Sequence, residues 1–201
     1  GLAREAGLLT FQAPRRFGGR EPSHREQAVL FEAAGWSTLG PVALNCAAPD
    51  EGNMFVLGKI ANDEQVERFL VPVIDGRQRS VFAMTEPGAG SDLASLACRA
   101  ERRGDKYVIN GTKIWTTHAH HANRMFCLVR TDPEARKQAG ISFLLVDLDQ
   151  PGVSIRPILS TAGDHEVNQV FLEDVRVPVA NRVQAGKRPR SAMAPMMRAF
   201  A

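Results

Sequence analysis

Residues 82–92 read Phe-Ala-Met-Thr-Glu-Pro-Gly-Ala-Gly-Ser-Asp, an apolar run that enters a turn. Gly88 and Gly90 allow positive φ and close backbone approach there, and the Thr85 and Ser91 hydroxyls stand beside exposed N–H groups. Such a turn can hold a phosphate or the polar edge of a ring. Taken alone, it reads first as a structural tight turn. It is no dinucleotide fingerprint, since Gly-x-Gly-x-x-Gly ahead of a helix is missing, and the phosphate-binding loop pattern is also absent. A second cluster, residues 110–117, reads Asn-Gly-Thr-Lys-Ile-Trp-Thr-Thr. Asn110-Gly111 signals a hairpin turn, which sets Trp115 and Thr117 two apart on one face of the next strand. An indole beside a hydroxyl suits a flat aromatic cofactor, the ring packing and the hydroxyl bonding a ring nitrogen. In isolation Trp115 reads as a core residue.

Two weaker groups follow. His118, His120 and His121 look like a metal cluster, but no carboxylate or cysteine is placed to complete a tetrahedral site, so they read as surface or supporting histidines. His165-Glu166 has the residue types of an acid/base pair, yet its place between Gly163 and the next strand reads as a loop contact.

The elements that must position these residues change period along the chain. Up to about residue 75 the pattern is helical. Ser23 and Glu26 form a capping box, with Gly35 as the C-cap; segments 52–61 and 63–70 follow, the second capped by Asn62 or Asp63, with Pro72 just beyond it. From Ser80, short β-branched and aromatic runs at 80–84, 107–109, 125–130, 141–146, 153–158 and 167–172 alternate with turn signals such as Arg103-Gly104-Asp105 and Gln150-Pro151-Gly152. Helices first and strands second predict an α+β fold, with the boundary near Asp75-Gly76 and the strands in an antiparallel barrel or sandwich.

Taken together, Thr-Glu-Pro-Gly-Ala-Gly-Ser-Asp and Asn-Gly-Thr-Lys-Ile-Trp-Thr-Thr resemble the flavin-binding middle domain of the acyl-CoA dehydrogenases. The likeness extends over residues 41–54, 140–146, 165–168 and 174–178, and covers roughly residues 1–181. It implies a helical N-terminal domain (1–75), a β-barrel middle domain holding FAD (76–181) and, in the family, a C-terminal helical domain. It also implies cofactor contacts at Phe82, Met84, Thr85, Gly90, Ser91, Trp115, Thr116 and Thr117. Met84 and Thr85 face the pyrimidine side of the isoalloxazine. Ser91 reaches toward the pyrophosphate and the path of the acyl-CoA, Trp115 packs beside the ring, and Thr117 bonds near N5. Donors at those positions stabilise charge that develops on the ring as hydride arrives.

The activity so implied is α,β-dehydrogenation of an acyl-CoA thioester in fatty-acid or lipid metabolism. Electrons leave to an electron-transfer flavoprotein or similar acceptor, and the complete protein is a homo- or hetero-oligomer. The family's proton-abstracting glutamate lies in the C-terminal domain, so no catalytic base is assigned here and Glu86 is read as stabilising its turn. The expectation is a chain inactive by itself. Two alternatives are a non-catalytic flavin-binding partner subunit and a flavin-dependent hydroxylase of the same fold. The chain reads as starting inside the helical domain, and the basic segment 182–201 as a non-family tail, such as a frameshift would produce.

Composition agrees with a folded chain. Over 201 residues, 44% hydrophobic and 23% charged side chains leave enough apolar surface for a core, which excludes disorder. The net charge of +3 lives in the tail, which carries five bases and no acid. That excludes the spread basic face of a nucleic-acid binder. No apolar run is long enough to span a bilayer and no signal-peptide pattern opens the chain, so a cytoplasmic protein is expected. Cys46, Cys98 and Cys127, odd in number and far apart, read as buried free thiols.

Overall fold

The computed structural model describes residues 1–184, and the chain divides into two compact units, Gly1–Arg79 and Ser80–Ala201. The expected α+β order is observed. The part of the basic tail beyond residue 184 lies outside the described residues. Arg182–Val183, expected to begin that tail, instead form a short strand against Phe143 and Leu144.

In the first unit, Ser23 caps the helix His24–Gly35 through the reciprocal box with Glu26. Gly35 closes that helix from within its last turn. Trp36 follows in a right-handed conformation, so the left-handed residue expected at Gly35 is not needed. The helix Asp50–Ile60 covers the expected 52–61 segment except its last residue, Ala61, which is extended, and begins two residues earlier, with Asp50 and Glu51 at its positive end. Asn62 forms a second capping box with Gln65, opening Asp63–Gln65. The helical path then continues through Val66–Leu70 to Val71–Ile74, with Pro72 inside it rather than past its end. Val66–Leu70 is wound as a wider π turn. That geometry accommodates a residue that lacks an N–H and crowds the preceding turn.

The second unit is one eight-stranded sheet built from β1 (Ser80–Ala83), β2 (Arg99–Arg103), β3 (Lys106–Thr117), β4 (Arg124–Arg130), β5 (Ile141–Asp147), β6 (Val153–Leu159), β7 (His165–Pro178) and β8 (Arg182–Val183). The order is β6-β7-β3-β2-β4-β5-β8, with β1 on β4. Most pairs are antiparallel as expected, but β1 runs parallel to β4, as does β2 at the single pair Arg99–Arg130. The β2–β3 hairpin intervenes between β1 and β4, and so supplies the long crossover that a parallel pair requires.

Alternate residues Met125, Cys127 and Val129 of β4 join Val81, Ile109, Leu144 and Val170 in the main core. The opposite side of the same strands carries Phe82, Phe126 and Phe143, whose rings meet edge to face at 5.9 Å. Among the described residues, no helix is long and apolar enough to cross a membrane.

Two irregularities in the β3–β7 ladder shape the middle of β3. Between Ile109 and Gly111, β7 takes an extra residue, and Asp174 turns left-handed at φ 53°. The Asn110 side chain fixes this bulge by accepting from Asp174 N at 2.9 Å and donating to its carboxylate at 3.0 Å. Asn110-Gly111 is therefore not the hairpin turn. Gly104-Asp105 makes that turn, and Gly111 lies mid-strand because a Cβ there would come within 2.8 Å of the Cys98 backbone. Between Lys113 and Thr116 it is β3 that takes the extra residue, with Trp115 left-handed at φ 59°.

Candidate functional site

The turn after β1 closes on itself and is tied to the second bulge at two levels. Glu86 and Ala89 exchange both backbone hydrogen bonds, at 3.0 and 3.1 Å, closing the Pro87-Gly88 tip. Ile114 N donates to Thr85 O at 2.9 Å, joining turn to strand. Beneath them, Lys113 is fully buried. Its ammonium donates to Glu86 Oε1 at 2.7 Å and to Met84 O at 3.2 Å. The Glu86 carboxylate also accepts from Cys98 N at 3.0 Å and Ala97 N at 2.6 Å. A buried pair with so many of its valences filled holds three segments in one register. Glu86 thus stabilises its turn, as read from the sequence. Lys113, quoted in the motif without a role, is the residue that reading missed; its signal was a cation at an inward-facing strand position.

The glycines behave differently from expectation. Neither Gly88 nor Gly90 has a positive φ, so neither supplies a left-handed turn. A Cβ built on either would meet nothing within 4 Å. Their lack of side chains leaves open space above the turn instead of relieving a clash.

Around that space, Trp115 is 57% exposed, in place of the core position it would take if merely structural. The extra residue of the bulge sends Lys113 and Thr116 inward together and Trp115 outward between them. Thr85 and Thr117 are half-buried, and their hydroxyls make no side-chain hydrogen bond among the described residues. The buried Thr116 Oγ1 is also without a partner. Met84 is half-buried, Gly90 and Ser91 are exposed, and Phe82 packs edge-on against Phe143 on the aromatic side of β1. A projecting indole, two unspent hydroxyls and a turn free of side chains suit the edge and face of a planar heteroaromatic ring.

Past Thr117 the chain turns through Ala119–His121, with His118 N donating to Glu166 O at 2.8 Å. His120 stacks on His165 at 3.8 Å between centroids, and the His121 ring lies tilted against it at 3.9 Å. Burial, followed by the neighbouring His121 and His165, holds His120 below the ordinary imidazole value. Among the described residues no group of three or more histidines, cysteines and carboxylates is placed to hold a metal ion. Asn168, wholly buried on β7, links this turn to Thr116 and was not singled out from the sequence, because its partners lie about fifty residues away.

Cys98 and Cys127 are buried free thiols as expected, and Cys46 is half-buried. A hydrogen bond between the Cys98 and Cys127 thiols, followed by burial, pushes Cys98 well above its ordinary value.

The profile of the family "Acyl-CoA dehydrogenase, middle domain" matches residues 81–175. Acyl-CoA dehydrogenase IpdE1 of Mycobacterium tuberculosis is 40% identical over 178 residues, covering 85% of this chain and 44% of that protein. Among solved structures, the ChsE4–ChsE5 complex from Mycobacterium tuberculosis superposes with a TM-score of 0.78 at 30% identity, covering 98% of this chain and 50% of that one. A structure described as the Tcur3481–Tcur3483 steroid ACAD gives a TM-score of 0.78 at 37% identity, covering 90% and 47%. The chain thus spans about half the length of these proteins.

Proposed function

Since this chain belongs to the acyl-CoA dehydrogenase family, we propose that its second unit is an FAD-binding domain and that the whole protein performs α,β-dehydrogenation of an acyl-CoA thioester. The observation that carries this reading is the junction of Thr85 and Ile114, which brings the open glycine turn and the exposed indole of Trp115 to one place. A left-handed tryptophan costs about 1 to 3 kcal/mol, and such strain persists where the surroundings enforce it, commonly at functional sites.

On this reading Trp115 packs beside the isoalloxazine, and Met84 and Thr85 present main-chain and hydroxyl groups to its pyrimidine edge. Thr116 and Thr117 line the N5 side, Phe82 backs the strand that leads into the turn, and Gly90 and Ser91 run toward the pyrophosphate and the acyl-CoA. FAD supplies, when bound, the two-electron oxidation of the Cα–Cβ bond. The residues of the chain bind and orient the ring and place donors where negative charge develops. Glu86 does not abstract the substrate proton, because its carboxylate is committed to Lys113 and two backbone N–H groups. That role falls to the part of the family's length that this chain does not span. The electron acceptor is an electron-transfer flavoprotein or a similar carrier.

A second reading, a flavin-holding subunit of a hetero-oligomer, is favoured by the likeness to the two-protein ChsE4–ChsE5 complex. Titrating FAD into the purified chain tests the shared core of both. Flavin fluorescence should be quenched at one FAD per chain, with the quenching weakened in Trp115→Ala. Flavin that stays fully fluorescent over a folded chain overturns the reading.

A further inference from the structure

The Asn168 carboxamide is completely buried, and both of its N–H donors and its carbonyl oxygen are hydrogen-bonded. Its Nδ2 donates to Thr116 O and to His120 Nδ1, both at 3.0 Å, while its Oδ1 lies 2.7 Å from His165 Nε2. A carbonyl can only accept, so Thr116 O fixes which end of the amide is the nitrogen. Turning the amide over would set Oδ1 against Thr116 O and NH2 against the His165 N–H. With Nδ2 held in place, His120 Nδ1 must be the acceptor, and its ring must carry its single proton on Nε2. Protonating His120 puts a hydrogen on Nδ1, directly facing a donor that cannot turn away. Protonating His165 changes nothing at Asn168, because Nε2 is a donor in both forms.

We propose that Asn168 is a positioning residue for the bulge of β3 and holds Thr116 in place only while His120 is uncharged. Thr116 is the residue at which β3 re-enters the β7 ladder after its extra residue, and Thr117 and Trp115 flank it. Releasing its carbonyl loosens the segment that presents both. This inference rests on the flavin reading for what the bulge serves, but not for the hydrogen-bond logic itself.

The charged and titratable groups around His120 are few. Its own turn contributes His118 and His121, and β7 contributes His165 with Glu166 beside it. From β6, Pro157, Ile158 and Leu159 stand opposite Asn168, Val167 and His165 and are not titratable; the nearest charge on that strand is Arg156, opposite Gln169 and packed over Phe171. Among the described residues no carboxylate bonds to the His120 ring, so a second proton there finds no acceptor to compensate for the donor it faces.

The test is a pH titration of the isotope-labelled chain, following the His120 imidazole, the backbone amides 116–118 and their hydrogen-exchange protection, with FAD affinity measured on the same samples. As His120 gains its proton, the 116–118 amides should shift with it. Protection at the His118 amide should fall about tenfold relative to Val170, and FAD affinity should fall about tenfold in parallel, the scale of one lost hydrogen bond. His120→Asn, whose side-chain oxygen replaces Nδ1 as acceptor at every pH, should keep the neutral-pH behaviour throughout. Asn168→Ala should show the low-pH behaviour throughout. Should Asn168→Ala not fold, His120→Asn, altered in a turn outside the strands, still decides the matter.

Amides 116–118 that stay still while His120 titrates overturn the proposal, as does a His120→Asn protein with an unchanged pH profile. Coupled amides in a chain that binds no FAD at any pH support the positioning role and overturn the flavin reading instead. FAD affinity that is flat with pH while the amides move overturns the link between bulge and flavin.

Discussion

The Lys113 ammonium lies 2.7 Å from Glu86 Oε1, with both side chains out of water and the carboxylate also bonded to two backbone N–H groups. This pair joins the turn after β1 to the bulge of β3. Removing one partner leaves the other charge buried without compensation, which costs about 3 to 5 kcal/mol. Lys113→Ala should therefore lower unfolding stability by about that amount in urea denaturation. The double variant Lys113→Met with Glu86→Gln should be markedly milder, because the amide oxygen still accepts from Ala97 or Cys98 and no charge is stranded. A double variant no better than the single one would deny the pair its role.

Gly111 and Gly88 should respond oppositely to alanine. At Gly111, φ is 153° and a Cβ would lie 2.8 Å from the Cys98 backbone, so the strand must shift. Gly111→Ala should cost about 2 kcal/mol or more, as overpacking against backbone does. At Gly88 a Cβ meets nothing within 4 Å, so thermal unfolding of Gly88→Ala should stay within about 0.5 kcal/mol of the parent. If the open space is the cofactor's, Gly88→Ala weakens FAD binding all the same. Equal stability losses in the two variants would contradict this account of both glycines.

His120 carries a pH dependence whose sign follows from its environment. Its value in the folded chain lies below the ordinary 6.5, chiefly through burial and then through His121 and His165. The unfolded chain therefore takes up the proton first, and stability rises with pH across the interval between the folded value and 6.5. The contribution is complete above that interval and is lost as pH falls through it. Denaturation midpoints should drop between near-neutral and mildly acidic pH, and His120→Asn should flatten that drop. A midpoint independent of pH in the parent chain would contradict it.

Thr117 presents a half-buried hydroxyl with no side-chain hydrogen bond among the described residues. Thr117→Val keeps the shape and removes the donor, so unfolding stability should hold while FAD affinity drops several-fold to about tenfold, the range of one hydrogen bond. Unchanged FAD affinity would place Thr117 away from the ring.

Much of this architecture was legible in local chemistry. The Ser23–Glu26 box is a short-range exchange between side chain and backbone, and six of the eight strands were visible as β-branched and aromatic runs. Strand β2, Arg-Ala-Glu-Arg-Arg, escaped because most of its side chains face water and only Ala100 is buried. Asn110-Gly111 carried a hairpin signal, but that signal reports only backbone freedom. What Gly111 accommodates is Cys98, just ahead of the neighbouring strand β2, and spacing cannot reveal a tertiary neighbour. Pro72 was expected to end its helix because one-dimensional rules assume the ordinary turn, and the π turn before it relaxes that rule. At the site, the convergence of the two motifs was readable only through family resemblance. Lys113 beneath them and Asn168 beside them act across the fold, through partners that no local window contains.

The account depends on the glycine turn and the β3 bulge forming one surface for FAD. Amide chemical-shift mapping of the labelled chain during an FAD titration tests this most directly. Resonances of Thr85, Gly90, Ser91, Trp115, Thr116 and Thr117 should move together along one binding curve. Shifts confined to other strands, or none in either segment while the chain remains folded, would contradict it.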